Sequence, residues 1–113
     1  MDARIASSIL VNALIRLAES NGGFGSVLAK GDPTAGAVAV LLVERGENPR
    51  LLERLLRPDG TYGWLESIQP SLGKPGELTA LIERRRRFDP DLWLIELDIA
   101  STERFAAEMN SLS

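Results

Sequence analysis

Ala37-Val38-Ala39-Val40-Leu41-Leu42-Val43 is apolar at every position, so as a strand it presents apolar side chains to both of its faces. A strand of that kind belongs inside a sheet covered on both sides. The turn residues Gly31-Asp32-Pro33-Thr34-Ala35-Gly36 precede it, and Arg45-Gly46-Glu47-Asn48-Pro49 closes it. Leu92 to Ile99 is the second strong strand. Trp93, Ile95, Leu97 and Ile99 share one face, and Leu92, Leu94, Glu96 and Asp98 share the other.

The flanking segments supply the cover. Ile5 to Asn21 reads as an amphipathic helix on the line Ile5, Ile9, Ala13 and Leu17, widened by Leu10 and Leu14, with Asn21-Gly22-Gly23 as its stop. Phe24 to Lys30 reads as a strand. Glu77 to Arg87 is a helix with Leu78, Leu81 and Ile82 on its apolar line, stopped by Asp89-Pro90. Ser101 is placed to cap a last helix carrying Phe105, Ala106, Met109 and Leu112. Gln69 to Gly76, with its prolines and glycines, is a loop.

Asn48 to Arg57 admits two readings. Leu51, Leu52, Leu55 and Leu56 fit helical spacing behind Asn48-Pro49. The same residues fit a strand, because Pro58-Asp59-Gly60 is hairpin chemistry and Tyr62 to Ile68 resumes an extended pattern.

Composition narrows the functional classes. The chain has 113 residues, 44% apolar and 26% charged, which suits one folded domain over residues 1–113. Cysteine and histidine are both absent. Disulfides, thiolate nucleophiles and imidazole bases or ligands are therefore ruled out. The net charge of −3 provides no overall positive field for nucleic acid or anionic lipid. The apolar stretch Ser8 to Ile15 makes a poor signal peptide and falls short of the roughly 20 residues that span a bilayer, so cytoplasm is the expected address.

Ala13-Leu14-Ile15-Arg16, Gly31-Asp32 with Ala35-Gly36-Ala37-Val38, Trp64, and above all Phe88-Asp89-Pro90-Asp91-Leu92-Trp93-Leu94-Ile95-Glu96 carry a resemblance. On these residues the chain resembles a family of short alphaproteobacterial proteins classed as a domain of unknown function, over roughly residues 4 to 99. In similar sequences the segment matching Arg50 to Arg57 alternates more like a strand, so the resemblance implies a hairpin here. It also implies one domain, a bacterial source and a cytosolic setting, and it assigns no role to any residue. The expected fold is α+β: a mixed, mostly antiparallel sheet of about five strands with helices packed on it. The expected order is helix, four strands, helix, strand, helix.

Five constellations are candidates for chemistry. The Gly31 to Gly36 loop can aim amides at a phosphate, but it lacks Gly-Lys-Ser/Thr, and Pro33 removes a donor. Arg84-Arg85-Arg86-Arg87 can grip nucleic acid, yet consecutive helical residues diverge by about 100° and form no flat patch. Asp32 and Glu44 flank the apolar strand, and the element order matches a restriction-endonuclease-like core. That makes them the metal-ligand pair of a phosphodiesterase or nuclease reading, in which Gly46 stands where a Glu-x-Lys motif needs lysine. Nine serines are present, but no histidine can activate one, and Lys30 and Lys74 lie in or beside turns.

Asp89, Asp91, Trp93 and Glu96 are the first choice for a binding site, since they combine a rigid turn, acids and an aromatic. Glu96 shares a face with Leu92 and Leu94, which points to a half-buried carboxylate paired with an arginine such as Arg16 or Arg87. The expectation is a non-enzymatic accessory or binding protein without a cofactor. Its partner is expected to be a protein rather than nucleic acid or membrane. A metal-dependent enzyme using Asp32 and Glu44 and a weak nucleic-acid binder using the arginine run are the rivals.

Overall fold

β2 (Val38–Glu44) and β5 (Trp93–Asp98) lie side by side and parallel inside a five-stranded sheet of order β1-β5-β2-β3-β4, whose other pairs are antiparallel. The computed structural model describes residues 5–67, 74 and 76–111. The remaining elements are α1 (Ser7–Ser20), β1 (Phe24–Ala29), β3 (Glu47–Leu56), β4 (Tyr62–Ser67), α2 (Glu77–Phe88) and α3 (Thr102–Ser111), in the expected order. The expected strand residue Ile68, the expected helix residue Leu112 and most of the Gln69–Gly76 loop lie outside the described residues.

Both faces of the central strands are covered, as their double-sided apolar pattern requires. α1 and α3 bring Leu10, Val11, Leu14, Phe105 and Met109 onto Val40, Leu42, Trp93, Ile95 and Leu97. α2 brings Leu78, Leu81 and Ile82 onto Ala39, Leu41 and Leu94 on the other face. Each leucine taken fully out of water this way contributes about 2 kcal/mol.

One detail differs from the pattern reading. The buried stripe of α1 is Ser7, Leu10, Val11, Leu14 and Ala18, and Ile9 faces solvent at 62% exposure. The rotation has a local cause: Ser7 Oγ donates to Gly36 O (2.6 Å), and the Ser7 and Ser8 amides donate to Thr34 O and Pro33 O. These bonds fix how α1 enters the fold.

The ambiguous leucine segment is strand β3. Leu51 and Leu52 are each 2% exposed because they point to opposite faces, both covered, while Leu55 and Leu56 overhang into solvent. The β2–β3 turn places Arg45 (φ 54°) and Gly46 (φ 80°) both at positive φ, as a tight two-residue hairpin loop demands. Between the pairs Leu42–Arg50 and Glu44–Glu47, β3 then has Asn48 and Pro49 opposite Val43. This bulge takes up the proline that a regular ladder would not accept.

Candidate functional site

The residues that carry the strongest sequence signals meet at the amino-terminal ends of β2 and β5, and they meet through backbone. Asp32 N–H donates to Asp91 O (3.0 Å), Trp93 N–H to Ala37 O (2.8 Å), and Trp93 Nε1 to Asp32 O (2.7 Å). Gly31 and Gly36 sit so close that a Cβ on either would lie 2.2 Å from Asp91 O. The Asp32 carboxylate accepts from the Thr34 and Ala35 amides (3.1 and 2.8 Å), and Asp89 Oδ1 accepts from the Asp91 amide. The loop amides that could have held a phosphate thus hold the protein's own carboxylate. This region is a joint between loop, strand and helix.

Asp89, Asp91, Trp93 and Glu96 are not brought into one cleft. Trp93 is buried on the α1/α3 face, Asp91 is exposed at the head of β5, and Glu96 lies on the α2 face. Five residues of strand separate Asp91 from Glu96, about 16 Å. The expected arginine partner of Glu96 is also not found: among the described residues it pairs with neither Arg16 nor Arg87. Instead Glu96 lines a cavity of about 350 Å³ with Leu41, Val43, Leu78 and the Gly46–Pro49 turn.

Asp32 and Glu44 stand at opposite ends of β2, so the structure does not bring this pair together. Glu44 accepts from the Thr102 amide (2.9 Å) and hydroxyl (3.1 Å) at the start of α3, beside the Ser101 hydroxyl that caps Arg104 N–H. The Thr102 amide first, then Asn48 and the Thr102 hydroxyl, hold the Glu44 carboxyl below the usual range. Among the described residues, no group of three or more acids could hold a metal ion. The arginine run is split. Arg85 turns inward onto Glu53, whose carboxyl it lowers, while Arg84, Arg86 and Arg87 are exposed.

The two edges of the sheet remain, and they are built differently. On β4, the outward Trp64 amide donates to Asn110 Oδ1 of α3 (3.0 Å), and Arg57 reaches the same oxygen. The Arg57 guanidinium lies against Gly63, and Arg50 pairs with Glu66 at 2.7 Å. On β1, Phe24-Gly25-Ser26-Val27-Leu28-Ala29 contains neither charge nor proline. Phe24 is 60% exposed and Val27 46%. Among the described residues, no hydrogen bond outside the β1–β5 ladder reaches residues 24–27. Behind this edge, Glu96 stands in register with Ser26, and Asp98 with Phe24.

The composition of β1 was visible in the sequence, but its place at the edge was not. That place depends on β5, nearly seventy residues further along the chain, inserting between β1 and β2.

A family model described as "Protein of unknown function (DUF1491)" matches residues 5–107. A crystal structure of a DUF1491 family protein from Caulobacter crescentus CB15 is 38% identical, with a TM-score of 0.77 over 90% of this chain and 94% of that one. An NMR structure of a DUF1491 family protein from the same organism gives 37% identity and a TM-score of 0.74, over 92% and 94%. A solution structure of an A. tumefaciens protein gives 29% identity and a TM-score of 0.73, over 91% and 92%. No curated protein matches the chain.

Proposed function

The chain belongs to the DUF1491 protein family, whose function is unknown, and from that premise we propose that it is a non-enzymatic cytosolic binding protein. Its site is the outer edge of β1, which takes up a short extended segment of a partner protein. The observation that carries this reading is the asymmetry of the two edges. An uncovered strand presents a row of unpaired amides and carbonyls, and proteins ordinarily guard such rows with charge, proline or covering groups. β4 is guarded by Asn110, Arg57 and Glu66, and β1 by nothing comparable among the described residues.

The occupant follows from the dimensions and charge of the edge. The register is regular only over Phe24–Val27, before the irregularity between Val27 and Ala29. A ladder this short buries well under the about 1,200 Å² of a stable protein pair, so it suits a peptide segment rather than a second copy of the chain. Phe24 and Val27 favour apolar residues in that segment. Glu96 lies one strand in, about 10 Å from an added strand, which is within reach of a lysine or arginine on the α2-facing side. A non-catalytic role is supported by the employment of the acids: Asp32 closes its own loop and Glu44 holds α3.

The test is a selection of random hexapeptides against the whole protein, followed by NMR titration of the winners. Peptides should be apolar with one basic residue, should perturb the amides of residues 24–27, and should lose binding to the Val27→Lys protein. Selected peptides that bind β4 or the α2 face, or binding that survives the lysine, would overturn the assignment.

A further inference from the structure

We propose that the cleft beyond the carboxyl ends of β2 and β5 is a second binding site, adjoining the β1 edge at Phe24, for a small phosphate monoester carrying a flat apolar group. In open α/β sheets ligands bind beyond the carboxyl ends of the parallel strands, and β2 and β5 are the parallel pair of this otherwise antiparallel sheet. Two adjoining hollows lie there, of about 410 and 120 Å³, sharing Asn21, Ile99 and Ala100. Arg45 lines the larger and Arg104 the smaller. Among the described residues, neither guanidinium makes an ion pair or a side-chain hydrogen bond, and the Ala100 and Ser101 amides donate to no acceptor. Arg45 in one hollow and Arg104 in the other, with the two amides between them in sequence, are the donors to which an oxyanion in this cleft would turn; the Thr102 amide that follows is already taken by Glu44. The exposed ring of Phe24 borders the larger hollow and offers a face to an aromatic group.

Two acids share the lining, Asp98 accepting from the Arg45 amide (2.7 Å) and Glu108 from Asn21 Nδ2 (3.4 Å), so the two guanidiniums balance two carboxylates and the affinity expected for phosphate alone is low. Arg45 is itself the unusual residue. It occupies a left-handed turn position where asparagine or glycine would sit with less strain. Its backbone conformation gives no reason for arginine, whereas its place in the cleft does.

The probes are phenyl phosphate, inorganic phosphate and sodium chloride at matched ionic strength, read by amide NMR on the full chain. Phenyl phosphate should shift residues 22–24, 45 and 99–101 and bind about tenfold more tightly than inorganic phosphate, one aromatic contact's worth. Arg45→Asn suits the turn better, so it should leave the melting temperature unchanged or higher while weakening binding at least about tenfold. Arg104→Gln should weaken binding similarly. The proposal is overturned if the shifts match those of sodium chloride, if phenyl phosphate binds no better than inorganic phosphate, or if either variant binds as the parent does.

Discussion

β4 and β1 terminate the same sheet, yet among the described residues side chains cover β4 at Trp64 and none covers the outer side of β1. At β4 a single side chain, Asn110, accepts from Trp64 N–H and from Arg57 while its own amide is tied to Ala106 O. At β1 the packing is just as close on the inner side, where a Cβ on Gly25 would fall 2.7 Å from a Leu97 methyl, but nothing described covers the outer side. The contrast separates two demands on an edge strand. Holding it in the sheet requires fit to the neighbouring strand and helix, whereas protecting it requires separate groups that contribute little to the core. Among the described residues, β1 has the first without the second.

Several substitutions would break or sharpen that contrast. The largest effect is expected at the joint through which β1 leads into β2. Gly36→Ala would drive a Cβ into Asp91 O and should cost on the order of 3 kcal/mol, seen as a lower midpoint in urea unfolding. If stability were unchanged, the joint would not be what fixes β1 beside β5. Next, Asn110→Ala should cost about 1 kcal/mol and, by unsealing Trp64, should add concentration-dependent self-association in sedimentation. A monomer of unchanged stability would mean that β4 needs no guard.

Acid should loosen the same edge. Arg50 holds the Glu66 carboxyl below its usual value, and the α3 amide does so for Glu44. Carboxyls lowered by folding contribute stability that is complete above their unfolded pKa, about 4.3, and is lost as pH falls through the folded value. The β4–α3 side should therefore lose protection below about pH 4, and Glu66→Gln should flatten that dependence in a pH series of thermal melts. The smallest change in stability belongs to Val27→Lys. It should alter stability by no more than about 0.5 kcal/mol, because Val27 is half exposed, while removing peptide binding at β1.

Much of the fold was legible because a few segments permit one solution. Val38 to Val43 is apolar on both faces, and only a covered central strand satisfies that. The Leu51-Leu52 and Leu55-Leu56 pairs were ambiguous because two neighbouring leucines can lie on a helical stripe or on opposite faces of a strand. The choice depends on whether α2 covers the second face, and a local pattern contains no such information. The site was much less legible. Asp89, Asp91 and Trp93 stand out in sequence because the joint needs them: the Asp89 carboxylate and the Trp93 ring N–H are spent on backbone contacts, and Asp91 takes part through its own amide and carbonyl. The open edge carries no motif at all. It is a run of six unremarkable residues whose meaning depends on the strand order.

Amide hydrogen exchange on the isolated protein compares the two edges directly. Those amides of Phe24–Val27 that face away from β5 should exchange nearly as fast as an unstructured chain, while the Trp64 amide should be protected to the extent that α3 stays docked. Equal protection on both edges would mean that β1 is already covered, and the docking account would be wrong.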